Sequence, residues 1–157
     1  MTSIADARTA GAATYSADEL TAAEASLTRH DALVAQRDYK QALSAALDAR
    51  DRGFEAAKQS TATQKSLRTQ AAQLLAGLEA SMQLVDTQLK TARTAANAKR
   101  LDRLRQTRKS LPTAMQDART LIEAGELTKG VKRLVDATAA VKRDTAALQP
   151  AAKATKK

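Results

Sequence analysis

The sequence predicts an all-α fold, an elongated antiparallel bundle of four to five helices with a long central helix. Aromatic residues make up only 2% of the 157 residues, and only two prolines and five glycines interrupt the chain. With leucine and alanine as the main apolar residues, this composition favours long helices over sheets. Apolar residues also recur at alternating spacings of three and four, which is the period of a buried helical stripe.

Residues 16–60 are predicted to form a helical hairpin. Ser16 with Glu19 three residues later is typical of a capping box, so a helix should begin at Ala17. The polar step 36–38 predicts a tight turn, and two helices joined by so short a connection pack antiparallel. The expected buried stripes are Leu20, Ala23, Leu27, His30 and Val34 in the first helix, and Tyr39, Ala42, Leu43, Ala46, Ala49, Gly53, Phe54 and Ala56 in the second.

Three short motifs in the first third of the chain carry a family resemblance. They are Gly11-Ala12-Ala13, the run from Tyr15 to Leu20, and the run from Asp38 to Ala42. On these motifs the chain resembles an alanine-rich helical domain of unknown function that occurs in bacterial envelope lipoproteins, some of which also carry an OmpA-like domain. The resemblance implies a helical domain of the periplasm or cell envelope.

A long helix is predicted over residues 64–110. The residues just before it, 59–64, are rich in poor helix formers that break or soften a helix. Pro112 should end the long helix, because the residue before a proline is pushed out of the helical region. The predicted stripe comprises Leu67, Ala71, Leu75, Leu78, Met82, Val85, Leu89, Ala92 and Ala96, followed on a different side by Leu101, Leu104 and Leu111.

A second hairpin is predicted over residues 113–148. Gly125 should close its first helix, as a glycine after a helix C-terminus does. We expect one helical domain over residues 1–150 and a disordered, lysine-rich tail over residues 151–157. The last stripe comprises Leu127, Val131, Leu134, Val135, Thr138 and Val141.

The two hairpins align as a weak internal repeat. Arg37-Asp38-Tyr39 falls on Gly125-Glu126-Leu127, and the match continues for about three helical turns. Two hairpins that converge on similar patterns explain this alignment as well as a duplication does.

Residue types needed for catalysis or for metal binding are scarce. His30 is the only histidine and cysteine is absent, so neither a histidine relay nor a thiolate metal site can form within one chain. His30 lies on the stripe between Leu27 and Val34, which favours packing at a helix seam. Phosphate-binding loops and nucleophile motifs are also missing. We therefore predict a non-enzyme without a catalytic site, a metal site or a cofactor.

Charge is distributed unevenly along the chain. Acidic residues slightly outnumber basic ones through Lys58, whereas the segment before Pro112 is strongly basic. A solvated helical face accounts for such a run, but few acidic residues stand at the spacings that would pair with it. This segment is a candidate polyanion-binding site, without the aromatic residues that stack on bases. Its residues are Lys99, Arg100, Arg103, Arg105, Arg108 and Lys109.

Three classes of function remain open from the sequence. The first is a non-catalytic scaffold or adaptor of the bacterial cell envelope that acts through protein contacts. The second is a basic protein that binds nucleic acid or another polyanion, and the third is a phasin-like amphipathic coat on a granule. A protein partner or a homo-oligomer fits the first class. No stretch is apolar enough to span a membrane, and residues 1–13 lack a signal-peptide pattern, so we expect a mature or truncated periplasmic form, with a cytoplasmic protein as the alternative.

Overall fold

The computed structural model describes residues 2–91 and 98–146, and the regular structure in these ranges is entirely α-helical. The helices are α1 (Thr2–Thr9), α2 (Ala12–Tyr15), α3 (Ala17–Ala35), α4 (Tyr39–Thr91), α5 (Ala98–Glu123) and α6 (Leu127–Ala146). The all-α prediction is confirmed, and so is the presence of a long central helix, α4, with 53 residues. Its bounds differ from the predicted 64–110, because α4 joins the second helix of the predicted hairpin at 16–60 to the first part of the predicted long helix. The described residues hold six helices where four to five were expected, and Gly11, with a φ of 78°, separates two short helices near the start of the chain.

The chain divides into two compact units, residues 1–66 and residues 67–157. We call them unit 1 and unit 2 and describe each by itself. The prediction of a single domain over residues 1–150 stays a prediction, since compact units of this size can be parts of one domain. The predicted tail at 151–157 lies outside the described residues, as do Ala92 and Ala96 of the predicted stripe.

Alanine dominates the core of unit 1. Its buried residues are Ile4, Ala7, Ala12, Leu20, Ala23, Ala49 and Ala56, contributed by α1, α2, α3 and the first part of α4. Small side chains allow helix backbones to approach closely. The approach is closest at Gly53, where an added Cβ would lie 2.9 Å from the backbone carbon of Ser3 in α1.

The turn between α3 and α4 falls at Arg37, as predicted. The Arg37 N–H donates to the carbonyl of Val34 at 3.0 Å, and the Asp38 N–H donates to the carbonyl of Leu33 at 3.0 Å. These two bonds form a Schellman motif, which places Arg37 in the left-handed region with a φ of 61°. The Asp38 carboxylate then accepts from the Gln41 N–H at 3.1 Å and caps the start of α4.

The predicted capping box at Ser16 is wrong, although α3 does begin at Ala17. The Ser16 side chain makes no cap hydrogen bond. Its hydroxyl instead donates to the carbonyl of Ala56 at 2.7 Å and lies 2.9 Å from the hydroxyl of Ser60. A partner on α4 therefore outcompetes the local backbone, and the serine joins the start of α3 to α4.

Three helical segments build the core of unit 2. The part of α4 from Leu67 onward packs with α5 and α6, and α4 runs without a break through the poor helix formers at 59–64. The buried residues are Ala71, Leu78, Val85, Leu104, Leu111, Met115, Ala118, Val131, Leu134 and Val141. Most predicted stripe residues of this region thus lie in the core.

The predicted helix end at Pro112 is wrong, and with it the boundary between a long helix at 64–110 and a hairpin at 113–148. Pro112 lies inside α5. Proline removes one backbone hydrogen bond and strains the preceding turn, at a cost of about 3 kcal/mol. Leu111 and Met115 on either side of it are buried in the unit 2 core, and their packing holds the helix together. The second hairpin is therefore α5 with α6.

The turn of this second hairpin falls at Gly125, as predicted. The Gly125 N–H donates to the carbonyl of Ile122 at 3.1 Å, the Glu126 N–H donates to the carbonyl of Leu121 at 2.9 Å, and Gly125 has a φ of 82°. This is the same Schellman motif as at Arg37. The residues aligned by the internal repeat thus occupy the same places in two turns.

Candidate functional site

A row of large apolar side chains on α4 is exposed in unit 1. Tyr39 is 66% exposed, Leu43 63%, Leu47 42% and Phe54 55%. At about 100° per residue, these four positions fall within an arc of about 80° on the helix. We call this row the apolar stripe.

The sequence prediction for this part of α4 was partly wrong. It placed Tyr39, Leu43 and Phe54 with the alanines on one buried stripe, whereas only the alanine side is buried. Two apolar rows run side by side along α4, one small and one large, and both have helical spacing. The close approach of the neighbouring helices selects the small row for the core, whose buried members are Ala42, Ala45, Ala49, Gly53, Ala56 and Ser60. Leu47 was missed, and its spacing of four from Leu43 was the available signal.

The structure disperses the predicted polyanion-binding residues around α5. Arg108 is directed to α4, where its guanidinium donates to both oxygens of Asp86, at 2.7 and 3.0 Å. This hydrogen bond lowers the pKa of Asp86 and raises the pKa of Arg108, so the pair stays ionised. Arg105 donates to Asp102 at 2.9 Å. Both arginines are therefore engaged in ion pairs, and Arg108 holds α5 against α4.

A smaller basic groove remains on the α5–α6 hairpin. Arg103 from α5 and Arg143 from α6 line a groove of about 350 Å³ together with Gln106, Thr107 and Asp144. Arg143 is 76% exposed and donates to the Asp144 carboxylate at 3.5 Å, a longer contact than those of Arg105 and Arg108. The Thr107 hydroxyl donates to the Asp144 carboxylate at 2.5 Å, and this bond between two lining residues joins α5 to α6. We call this feature the basic groove.

The other predicted basic residues are Lys99, Arg100 and Lys109, and only the first two lie near the basic groove. Lys99 and Arg100 are exposed in the first turn of α5, the end of the helix near the groove. Lys109 is exposed about 120° around the helix from Arg103. Arg143 was missed by the sequence analysis, although a hairpin with its turn at Gly125 places residue 143 opposite residue 107.

His30 lies at the seam of α1, α3 and α4, at the kind of packing position that was predicted. It is half-buried, and its Nδ1 lies 2.9 Å from Asp31 Oδ1. The residues that line a pocket of about 210 Å³ beside it are Ser3, Ile4, Leu27, Ala46, Ala49 and Arg50.

The carboxylate of Asp48 belongs to a structural hydrogen-bond network. The Ser26 hydroxyl donates to it at 2.5 Å, and Arg52 donates at 3.0 Å. The serine bond first and the arginine bond second lower the pKa of Asp48. Asp48 is therefore ionised at neutral pH and connects α3 with α4.

The described ranges lack two further kinds of feature, a metal-binding cluster and a membrane-spanning helix. Within residues 2–91 and 98–146, no three histidine or carboxylate side chains are grouped so that they could hold a metal ion. None of the helices in the same ranges has the length and apolar content needed to cross a membrane.

Comparisons with known proteins do not add a relative. No family model matches the chain, and neither the curated proteins nor the solved structures contain a significant match.

Proposed function

We propose that this protein is a non-catalytic helical scaffold or adaptor that acts through protein–protein contacts. The apolar stripe is the observation that carries the proposal. Four large apolar side chains in one row, two of them aromatic, form a patch of the kind found at protein interfaces. The alanine side of α4 is buried in the core of unit 1, whereas the apolar stripe is exposed and can contact another protein.

The compartment within this proposal is the bacterial cell envelope, in the periplasm. Its support is the resemblance of Gly11-Ala12-Ala13, of the run from Tyr15 to Leu20 and of the run from Asp38 to Ala42 to envelope lipoprotein domains. A cytoplasmic location is the alternative. Fractionation of cells that carry the full native gene distinguishes the two.

Photo-crosslinking tests the scaffold proposal. A photoreactive amino acid placed at Leu43 or at Phe54 should form discrete covalent protein adducts in living cells, because these side chains are buried in the contact. The same amino acid at Gln73, an exposed polar position on α4 outside the stripe, should not form them. A pattern of adducts that is identical at Leu43 and Gln73, or no adduct at either stripe position, contradicts the proposal.

Binding of a polyanion is a second candidate function, favoured by the basic groove. Arg103 and Arg143 come from different helices and converge on one concave surface. Lys99 and Arg100 extend the positive charge along α5. Phosphates or acidic polymers bound there would displace counterions, which makes the affinity depend on salt.

Salt titrations test this candidate with duplex DNA as the probe. Four neutralised phosphates predict a log–log slope of about −3.6 for the wild type, and the double variant Arg103→Gln/Arg143→Gln should reduce its magnitude by about 1.8. A control variant, Arg68→Gln/Lys132→Gln, removes the same charge from exposed positions outside the groove and should leave the slope unchanged. If the wild type does not bind at low salt, or the groove variant keeps the full slope, the basic groove is only a solvated face.

A further inference from the structure

We propose that the pocket beside His30 binds a small apolar molecule that carries one hydroxyl group, of the chemical class of phenol. The pocket lies within unit 1, where α1, α3 and α4 meet, and has a volume of about 210 Å³. We call it the His30 pocket. The inference goes beyond the proposed function, because it concerns a small-molecule site and not the protein contacts of the apolar stripe.

The volume of the His30 pocket suits a single six-membered ring with one substituent. An apolar cavity of about 150 Å³ is large enough to hold benzene. The His30 pocket, at about 210 Å³, is larger by the space that one polar group needs. Pockets for drug-sized ligands start at about 300 Å³, so the ligand expected here is smaller than those.

The walls of the pocket are mostly apolar. Ile4 of α1 and Ala49 of α4 are buried, and Leu27 of α3 and Ala46 of α4 are half-buried. Ligand sites in proteins typically combine such walls with a few polar groups that fix the orientation of the ligand.

The second hairpin shows how the pocket arises. In the internal repeat, Ala46 corresponds to Leu134 and His30 corresponds to Ala118. Leu134 and Ala118 are both fully buried in the unit 2 core. Alanine in place of leucine opens space in unit 1, and histidine in place of alanine adds a polar ring beside it. Unit 1 therefore has a pocket with a polar group where unit 2 has a packed apolar core.

His30 offers a hydrogen-bond acceptor to a ligand. Its Nδ1 lies 2.9 Å from Asp31 Oδ1, and a carboxylate only accepts hydrogen bonds, so Nδ1 carries the proton. In the neutral imidazole the other nitrogen, Nε2, is then an acceptor. Nε2 has no hydrogen-bond partner among the residues that the structure describes. The hydroxyl hydrogen of a ligand can be donated to it.

Two further lining side chains offer donors. Ser3 is 4% exposed, and within residues 2–91 and 98–146 its hydroxyl has no hydrogen-bond partner, although buried hydroxyls are normally paired. Arg50 contacts Asp51 through Nε at 3.0 Å and Nη2 at 2.8 Å, which leaves the two N–H groups of Nη1 for a ligand. A hydroxyl group is both a donor and an acceptor, so it matches this set of groups.

The charges around the pocket favour a neutral hydroxyl over an anionic ligand. Two carboxylates, Asp31 and Asp51, flank the polar side of the pocket, against one guanidinium, Arg50. A ligand carboxylate would compete with Asp51 for Arg50 and would meet the lone pair of His30 Nε2. A neutral ligand avoids both penalties.

Nuclear magnetic resonance titration of the purified chain tests the class of ligand. Phenol should shift the amide resonances of Leu27, Ala46 and Ala49, with a Kd of about 1 mM or below. Benzoate, which adds a negative charge, and toluene, which lacks the hydroxyl, should both bind more weakly than phenol. No phenol-induced shift at these residues overturns the site, and tighter binding of benzoate or toluene overturns the hydroxyl class.

Ala46→Leu tests the position of the site. The variant places the residue of the second hairpin in the first, and it should fill the pocket and weaken phenol binding at least about tenfold. Ala25→Leu, at an exposed position of α3, is the matched control and should keep the wild-type Kd. Circular dichroism of both variants checks that the helices are retained. Wild-type affinity for phenol in a folded Ala46→Leu variant contradicts the proposed position.

His30→Phe tests the polar contact without removing the ring. The loss of one hydrogen bond should weaken phenol binding about three- to tenfold. Toluene makes no such bond, so its Kd should change less. Equal effects of His30→Phe on phenol and on toluene, or an unchanged Kd for phenol, overturn the role of His30 as the acceptor.

Discussion

Leu78→Asp is expected to unfold the core formed by α4, α5 and α6. Leu78 is 1% exposed and belongs to the unit 2 core. Removing a buried leucine side chain costs about 2–5 kcal/mol, and an unpaired buried carboxylate adds several more. The sum is comparable to the whole stability of a typical domain, about 5–15 kcal/mol. Urea denaturation followed by circular dichroism should show the loss of the transition that belongs to this core.

The matched control for this variant lies on the same helix. Leu84 is 54% exposed, so Leu84→Asp introduces the same charge without burying it. Its free energy of unfolding should differ from the wild type by about 0.5 kcal/mol or less, the range of ordinary surface substitutions. Equal denaturation midpoints for Leu78→Asp and Leu84→Asp would contradict the placement of Leu78 in the core.

Gly53→Ala is expected to destabilise unit 1 by about 1–3 kcal/mol, the usual cost of overpacking. The new Cβ would lie 2.9 Å from both the backbone carbon and the hydroxyl oxygen of Ser3. Because Ser3 is buried and its backbone belongs to α1, the clash can be relieved only by moving that helix. Hydrogen exchange should show faster exchange throughout α1.

Gly77→Ala is the control, and its effect should have the opposite sign. Gly77 is a second helical glycine of α4, with nothing within 4 Å of an added Cβ. Alanine at an exposed helical site stabilises by about 1 kcal/mol relative to glycine. Two identical substitutions in one helix should therefore shift the urea midpoint in opposite directions. A gain in stability from Gly53→Ala would contradict the close approach of α1 to α4.

Local sequence patterns predicted the turns of this fold well. The turns at Arg37 and Gly125 follow from a short polar step and from a C-terminal glycine. The start of α3 at Ala17 was also predicted correctly, although the capping box used to predict it does not form. Such signals act within a few residues of the chain. The structure adds that both turns use the same pair of backbone hydrogen bonds.

Features that depend on tertiary contacts were predicted less well. Pro112 breaks a helix by local rules, but the burial of Leu111 and Met115 holds α5 through it. The hydroxyl of Ser16 prefers a carbonyl of α4 to its own helix. A local sequence pattern does not show which hydrogen-bond partner or packing neighbour lies near a residue in the folded chain.

The predictions of the candidate binding surfaces were also inaccurate where they depended on tertiary contacts. The basic composition before Pro112 was evident from the sequence. The ion pair of Arg108 with Asp86, which removes Arg108 from the candidate polyanion-binding site, depends on how α5 packs on α4. The sequence did not show that the apolar stripe is exposed, because the large and the small apolar rows of α4 have the same helical period. Only the distance between neighbouring helices decides which row is buried.

The alanine core of unit 1 has a calorimetric consequence. Five of its seven buried members are alanines, so unfolding exposes little apolar side-chain surface per residue. The heat-capacity change of unfolding comes mainly from the hydration of apolar surface, and it sets the curvature of the stability curve. The stability of unit 1 should therefore change almost linearly with temperature below its melting point. The leucine, valine and methionine core of unit 2 gives a more strongly curved dependence.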